Sequence, residues 1–267
     1  MDSFGFIGTG NMGGALARAV SKTVPGTQQM LADFFADKAQ ALARELGCIA
    51  CDNETLAGSC KYIVLGVKPQ MLEGLFAELS SLLQARRDEF VLVSMAAGVP
   101  IRRIQELAGK DYPVIRIMPN TPCSIGKGMV LCCRSDNVTE AQYSVFLEAF
   151  SQAGSLLSIP ESLIDAGCAI SGCGPAYVYT FIEALSDAGV ALGLTRNDAR
   201  LLAVQTVLGS AELVKESGQH PAQLRDAVCS PGGSTIQGVL ALERGGFRAA
   251  VADCVEAAYD KTVALGK

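Results

Sequence analysis

Two glycine-rich stretches in this 267-residue chain have the composition needed to hold anions. The first, Gly8-Thr9-Gly10-Asn11-Met12-Gly13, is a G-x-G-x-x-G between a short apolar run ending at Ile7 and a helical pattern. In such a setting the first glycine permits a tight turn and the second lets backbone approach a pyrophosphate. The third lets the helix pack closely on the strand. The helix N-terminus adds free N–H groups and a favourable dipole. The hexapeptide alone is a weak signal, strengthened here by a strand–turn–helix context and a second strand ending near Asp33. The other stretch, Ser230-Pro231-Gly232-Gly233-Ser234-Thr235, opens a later helix. Its glycines let N–H groups converge on a carboxylate without side-chain obstruction. The Thr235 hydroxyl can then donate to or accept from a ring nitrogen. Without such a ligand, Ser234 and Thr235 read as an ordinary N-cap pair.

Asp33 bears on the choice between NADH and NADPH. A carboxylate at this distance from the glycines normally accepts from the adenosine ribose and repels a 2′-phosphate. No arginine follows it directly; Phe34, Phe35 and Ala36 do, with Lys38 further on. That leans toward NADH, unless Asp33 is a solvent-facing loop acid. Three further segments mark strand ends, where such sheets bind ligands: Val67-Lys68-Pro69-Gln70, Ser94-Met95-Ala96-Ala97-Gly98 and Met118-Pro119-Asn120-Thr121-Pro122. No strong general acid stands out. The single histidine, His220, precedes Pro221 at a helix start and reads as a surface or capping residue. Lys68 can add positive charge near a cofactor but is not assigned as an acid. The ten cysteines are scattered, with Cys132-Cys133 adjacent and Cys48/Cys51 as a lone C-x-x-C. They suit neither a disulfide ladder nor a metal site and read as small buried hydrophobes.

The elements that must position these groups alternate. Strand runs are expected at Ser3–Gly8, Gln29–Asp33, Tyr62–Val67, Phe90–Met95, Val114–Met118, Met129–Cys133 and Leu156–Ser158, with helical segments such as Gly13–Thr23, Ala36–Leu46 and Met71–Leu83 between them. This is the pattern of an α/β fold with a parallel, doubly wound sheet. After Pro160 only helices follow, at Ala176–Leu192, Asn197–Ser217, Pro221–Cys229, Thr235–Arg244 and Phe247–Leu265, with Asn197-Asp198 and Ser234-Thr235 as starting positions. The expected division is a dinucleotide-binding domain, 1–158, and an all-helical domain, 159–267. Between Arg200 and Val214 the apolar stripe is wide enough for burial on several sides. Either its own helices or a second subunit can cover it; the small residues Gly189, Ala191 and Gly193 favour a dimer.

Apolar residues make up 49% and charged ones 18%, so the chain can bury a large core. The net charge of −5 lacks the basic footprint of a nucleic-acid binder. Mean hydropathy is positive, yet no apolar run reaches the ~20 residues of a spanning helix. The N-terminus has no basic region followed by a long apolar one, so a cytoplasmic protein is expected.

Taken together, these segments resemble pyrroline-5-carboxylate reductases nearly end to end: G-F-I-G-T-G-N-M at 5–12, V-K-P-Q at 67–70, A-A-G at 96–98, R-I-M-P-N-T-P at 116–122, S-G-C-G-P-A-Y at 171–177 and V-C-S-P-G-G-S-T-I at 228–236. The first is shared with many dehydrogenases; the M-P-N-T-P and S-P-G-G-S-T-I segments are far more particular. The resemblance implies an N-terminal Rossmann-like dinucleotide-binding domain and a C-terminal helical dimerisation domain. It also implies interlocked homodimers, which can assemble further, and hydride transfer from NAD(P)H to the imine carbon of 1-pyrroline-5-carboxylate, giving proline. By position it places Ile7, Gly8, Thr9, Gly10, Asn11 and Met12 on the pyrophosphate and Asn53 on the adenosine side. Val67, Lys68 and Pro69 continue the cofactor wall, with Met95, Ala96, Ala97 and Asn120 near the nicotinamide. Ser230, Gly232, Gly233, Ser234 and Thr235 form the substrate loop, with Glu161 at the pocket's edge. Two departures stand out: Cys173 where a serine is usual, and Asp33 where many relatives carry a small polar residue.

Two other functions share parts of this pattern. A β-hydroxyacid dehydrogenase needs a lysine inside a C-terminal helix, whereas Lys215, Lys261 and Lys267 fall at helix ends or the chain end. A non-catalytic NAD(P)-sensing scaffold would have no use for the whole Ser230–Thr235 loop.

Overall fold

The structure, a computed structural model, describes residues 2–265. Short, largely apolar runs become strands: β1 (Phe4–Ile7), β2 (Gln29–Ala32), β3 (Ile49–Ala50), β4 (Tyr62–Leu65), β5 (Val91–Ser94), β6 (Val114–Pro119), β7 (Gly128–Arg134) and β8 (Gly154–Ser158). They join in one sheet, ordered β3-β2-β1-β4-β5-β6-β7-β8. Side chains alternate between its faces. On β4, Ile63 and Leu65 join the core formed with α3 (Asn53–Ser59), α4 (Leu72–Ala85) and α5 (Ile101–Ala108). Tyr62 and Val64 join the opposite core, with α1 (Asn11–Val20), α2 (Ala36–Leu46) and α6 (Glu140–Phe150). Strand order reverses between β1 and β4, and the crevice beyond their carboxyl ends is where ligands of such sheets bind.

The sheet is not parallel throughout. β7 runs antiparallel to β6, and β8 is parallel to β7. The link from β6 to β7, Asn120 to Lys127, is too short for a parallel crossover, which needs a dozen or more residues. The β7-to-β8 link contains α6 and can cross over. The two-residue β3 lies in the short apolar run Cys48–Cys51 and was not expected.

The polypeptide divides into two compact units. The first runs through Cys173 and includes the end of the last helix from Ala258; the second is Gly174–Ala257. The sheet ends at Ser158, but α7 (Ile164–Gly167) and the π-helical turn Cys168–Gly172 pack with β6 and β7, so the first unit extends past them. The second unit holds α8 (Gly174–Ala191), α9 (Arg196–Ser217), α10 (Pro221–Ala227), α11 (Ser234–Arg244) and most of α12 (Phe247–Leu265). Thr195, not Asn197 or Asp198, caps α9, its hydroxyl accepting from Asp198 N–H at 3.2 Å. Burial of the α9 stripe on several sides is not met within the chain: only Ala199 and Ala203 are buried, and Leu201 is 67% exposed.

All ten cysteines are free thiols. Burial pushes Cys60 and Cys133 up to about 12 and Cys168 up to about 11. Near pH 8 these three are expected to react with a thiol reagent only as fast as the protein unfolds. Colorimetric thiol titration with and without guanidinium checks this; immediate native labelling of Cys60 would contradict it.

Candidate active site

The glycine turn does what its sequence requires. Gly8 leaves β1 at φ 96°, and a Cβ there would lie 2.7 Å from Gly66 O, so β1 and β4 meet closely at the switch point. A Cβ on Gly13 would collide with Gly8 O, whereas one on Gly10 would meet nothing within 4 Å. The first and third glycines are thus fixed by packing, and the second borders open space. Gly10 is the N-cap of α1, with no side-chain cap and no acid in the first turn. Those N–H groups remain available to an anion. Exposed Asn11 and partly buried Met12 follow, while Ile7 is buried and Thr9 half-buried. An open cradle of this kind fits a dinucleotide pyrophosphate.

Asp33 is not a free loop acid. Its Oδ2 accepts from Thr9 N–H at 2.7 Å and from Thr9 Oγ1 at 3.0 Å, and its Oδ1 accepts from Phe35 N–H at 3.0 Å. Burial pushes its pKa up, but the Phe35 and Thr9 N–H groups and the Thr9 hydroxyl outweigh that, and the net shift is downward. Asp33 therefore clamps the glycine turn while remaining ionised. Beside it Phe34 is 85% exposed, and Lys38 Nζ lies 4.8 Å from the Phe35 ring centroid.

Other expected cofactor residues stand on the same side of the sheet. Val67, Lys68 and Pro69 follow β4, with Lys68 exposed; Met95, Ala96 and Ala97 follow β5. Asn120 follows β6, and both ends of its amide are engaged: Nδ2 donates to Ser171 O and Oδ1 accepts from Met129 N–H, each at 2.9 Å. It serves as a brace between strand end and π-turn. Asn53 begins α3, its Nδ2 3.5 Å from Glu78 Oε1. Glu161 accepts from Ile101 N–H at 2.7 Å and pairs with Arg116, itself 3% exposed, at 3.4 Å. Arg116 and its second partner, Asp165, were not singled out from sequence. The signal was present: a lone arginine in the apolar run Val114–Met118 must find carboxylates if that run is a buried strand.

The expected substrate loop belongs to the second unit. Gly232 has φ 69°, Gly233 N–H donates to Ser230 O at 3.0 Å, and Gly233 is the N-cap of α11. No side chain caps that helix, so Ser234 and Thr235 are not its N-cap pair but its first two residues. Their side chains are exposed, as is Ser230. Four other helix starts are closed by side chains: Asp52 on α3, Thr139 on α6, Thr195 on α9 and His220 on α10. His220 Nδ1 accepts from Ala222 N–H at 3.2 Å, in keeping with the capping role expected of it. Lys215 lies in the last turn of α9 and Lys261 in α12; Lys267 lies outside the described residues. Among the described residues no cluster of His, Cys, Asp and Glu could hold a metal ion, and no helix is long and apolar enough to cross a membrane.

Residues 161–265 match the family model for pyrroline-5-carboxylate reductase dimerisation, and residues 3–98 match that for coenzyme F420-dependent NADP oxidoreductases. Pyrroline-5-carboxylate reductase of Synechocystis is 45% identical over 82% of this chain and 80% of its own length. That of Glycine max is 39% identical over 97% and 94%. The crystal structure of Plasmodium falciparum pyrroline carboxylate reductase with NADP bound superposes with a TM-score of 0.88, at 35% identity, covering 100% of this chain and 98% of that one. With the open glycine cradle at one helix start and the uncapped Gly-Gly-Ser-Thr start at another, this agreement assigns the chain to the pyrroline-5-carboxylate reductase family.

Proposed function

We propose that this protein reduces 1-pyrroline-5-carboxylate to L-proline with NAD(P)H. The observation that carries the reading is the start of α11. Its helix dipole and first-turn N–H groups are left open by Gly232 and Gly233, with no side-chain cap, and among the described residues the exposed Thr235 hydroxyl has no hydrogen-bond partner. That end holds the substrate carboxylate, and Thr235 Oγ1 bonds the ring nitrogen and turns one face of the C=N bond outward. A bound reduced nicotinamide would supply the hydride for the imine carbon so exposed. The nitrogen takes its proton from water before or during binding, so positioning rather than a strong acid provides most of the catalysis. The half-reaction balances: one hydride and one proton convert C=N to CH–NH.

On this reading Ile7–Met12 hold the pyrophosphate, Asn53 the adenosine side, and Val67–Pro69, Met95–Ala97 and Asn120 the rest of the cofactor. Ser230–Thr235 hold the substrate. The functional boundary lies after Ser158, where the sheet ends. The protein works as a homodimer in the cytoplasm, and dimers can build larger assemblies. The wide exposed stripe on α9, Leu201, Leu202, Val204, Leu208 and Leu213, supports a subunit partner.

For the cofactor's last phosphate, the ionised Asp33 at the end of β2 favours NADH, since a 2′-phosphate would meet its charge. Asp33→Ser is expected to shift the ratio of kcat/KM for NADPH over NADH upward by about tenfold, about 1.4 kcal/mol. Steady-state kinetics with both cofactors checks this, and an unchanged ratio would remove Asp33 from selectivity. The pH behaviour follows from its lowered pKa. The stabilisation from the clamp is fully present above the ordinary carboxylate value and is lost as pH falls through the folded value. NADH affinity should therefore be flat through the neutral range and weaken only in acid.

A further inference from the structure

Arg116 occupies an unusual place for a cation. It stands on β6 between the fully buried Ile115 and Ile117, in register with Ser94, the last residue of β5 before Met95–Ala97. Nη2 donates to Asp165 Oδ1 at 2.6 Å, and Nη1 lies 3.4 Å from Glu161 Oε1. The same Oε1 accepts from Ile101 N–H at 2.7 Å. Ile101 is the first residue of α5, whose N-cap is Pro100, a residue with no side-chain acceptor. Glu161, distant in sequence, thus supplies the missing cap, and the helix dipole helps balance its charge. Asp165 lies on α7, which continues into the π-turn whose Ser171 carbonyl is gripped by Asn120.

One buried guanidinium is therefore tied to both segments that follow the ends of β5 and β6. We propose that Glu161, Arg116 and Asp165 form the positioning element for the nicotinamide floor, and that Glu161 acts through Ile101 on Met95–Ala97 instead of contacting substrate. The proposal rests on the reading above that Met95–Ala97 and Asn120 line the nicotinamide.

The test compares full-length wild type with Glu161→Ala, Glu161→Gln and Asp165→Asn. Calorimetry gives affinities for NADPH, NADH and ADP-ribose, the last having adenosine and pyrophosphate but no nicotinamide; kinetics gives KM and kcat. Glu161→Ala is expected to weaken both dinucleotides about tenfold, the scale of one lost charged cap. ADP-ribose should bind within about twofold of wild type, because the glycine turn is untouched. Glu161→Gln should recover most of the loss, since its amide oxygen still accepts from Ile101 N–H. A rise in KM for pyrroline-5-carboxylate alone, with dinucleotide affinity unchanged, would overturn the proposal in favour of direct substrate contact. Equal weakening of ADP-ribose and dinucleotide would overturn it as general loosening. Should the alanine variant not fold, Asp165→Asn, which removes the charge of one of Arg116's two carboxylate partners, decides: selective weakening of the dinucleotides supports the proposal, and wild-type affinities sink it. Wild type failing to oxidise either cofactor with this substrate would instead count against the proposed function, since the binding measurements stand without turnover.

Discussion

Thr235→Ala lowers kcat by about 100-fold, the low end of the range removed with one positioned hydrogen-bonding group at a reacting centre. Nucleotide affinity stays within about twofold of wild type, because Thr235 belongs to α11 and the glycine cradle to the β1–α1 turn. The fold should tolerate the change: Thr235 is exposed, has no hydrogen-bond partner among the described residues and is not the cap of its helix. Thr235→Ser keeps the hydroxyl and should recover most of the rate, whereas Thr235→Val, similar in shape, should not. Stopped-flow turnover beside calorimetric NADPH binding separates the cases. Parallel loss of turnover and nucleotide binding in Thr235→Ala would make the residue structural.

The second large effect is a contrast between two glycines of one motif. A Cβ on Gly13 would collide with Gly8 O, so Gly13→Ala must push α1 away from β1. A steric insertion of this kind costs about 1–3 kcal/mol, and both Tm and dinucleotide affinity should fall. Gly10 has φ −63° and open space around its would-be Cβ. Gly10→Ala should therefore leave Tm within about a degree, a typical surface effect, while weakening dinucleotide binding at least about tenfold. Calorimetric melting with titrations on both variants checks the split. A large fall in Tm for Gly10→Ala would show that its space is needed by the protein rather than by the ligand.

Much of this arrangement was legible in the sequence because local chemistry dictates it. The G-x-G-x-x-G turn, continuous apolar strands such as Tyr62–Leu65 and the helix opened by Gly232-Gly233 follow from backbone freedom and periodicity. What was hidden depends on pairing between distant residues. The reversal of β7 follows from the short link after Pro119, a length cue that apolar runs do not carry. Asp33 was read as a ribose ligand or a loop acid; its bonds to Thr9 depend on β1 and β2 lying side by side. Glu161 reached the site through resemblance alone, and its bond to Ile101 spans elements whose proximity only the folded sheet creates. The exposed stripe of α9 could not be assigned from one chain, because periodicity gives the width of an apolar face and not what covers it.

The central claim is an activity, and following loss of reduced-nicotinamide absorbance tests it most directly. Purified protein is mixed with pyrroline-5-carboxylate, in parallel with NADH and with NADPH, and the product is identified by chromatography. The expected result is substrate-dependent cofactor oxidation with stoichiometric proline, faster with NADH at equal subsaturating concentrations. No oxidation with either cofactor by a folded, nucleotide-binding protein would contradict it.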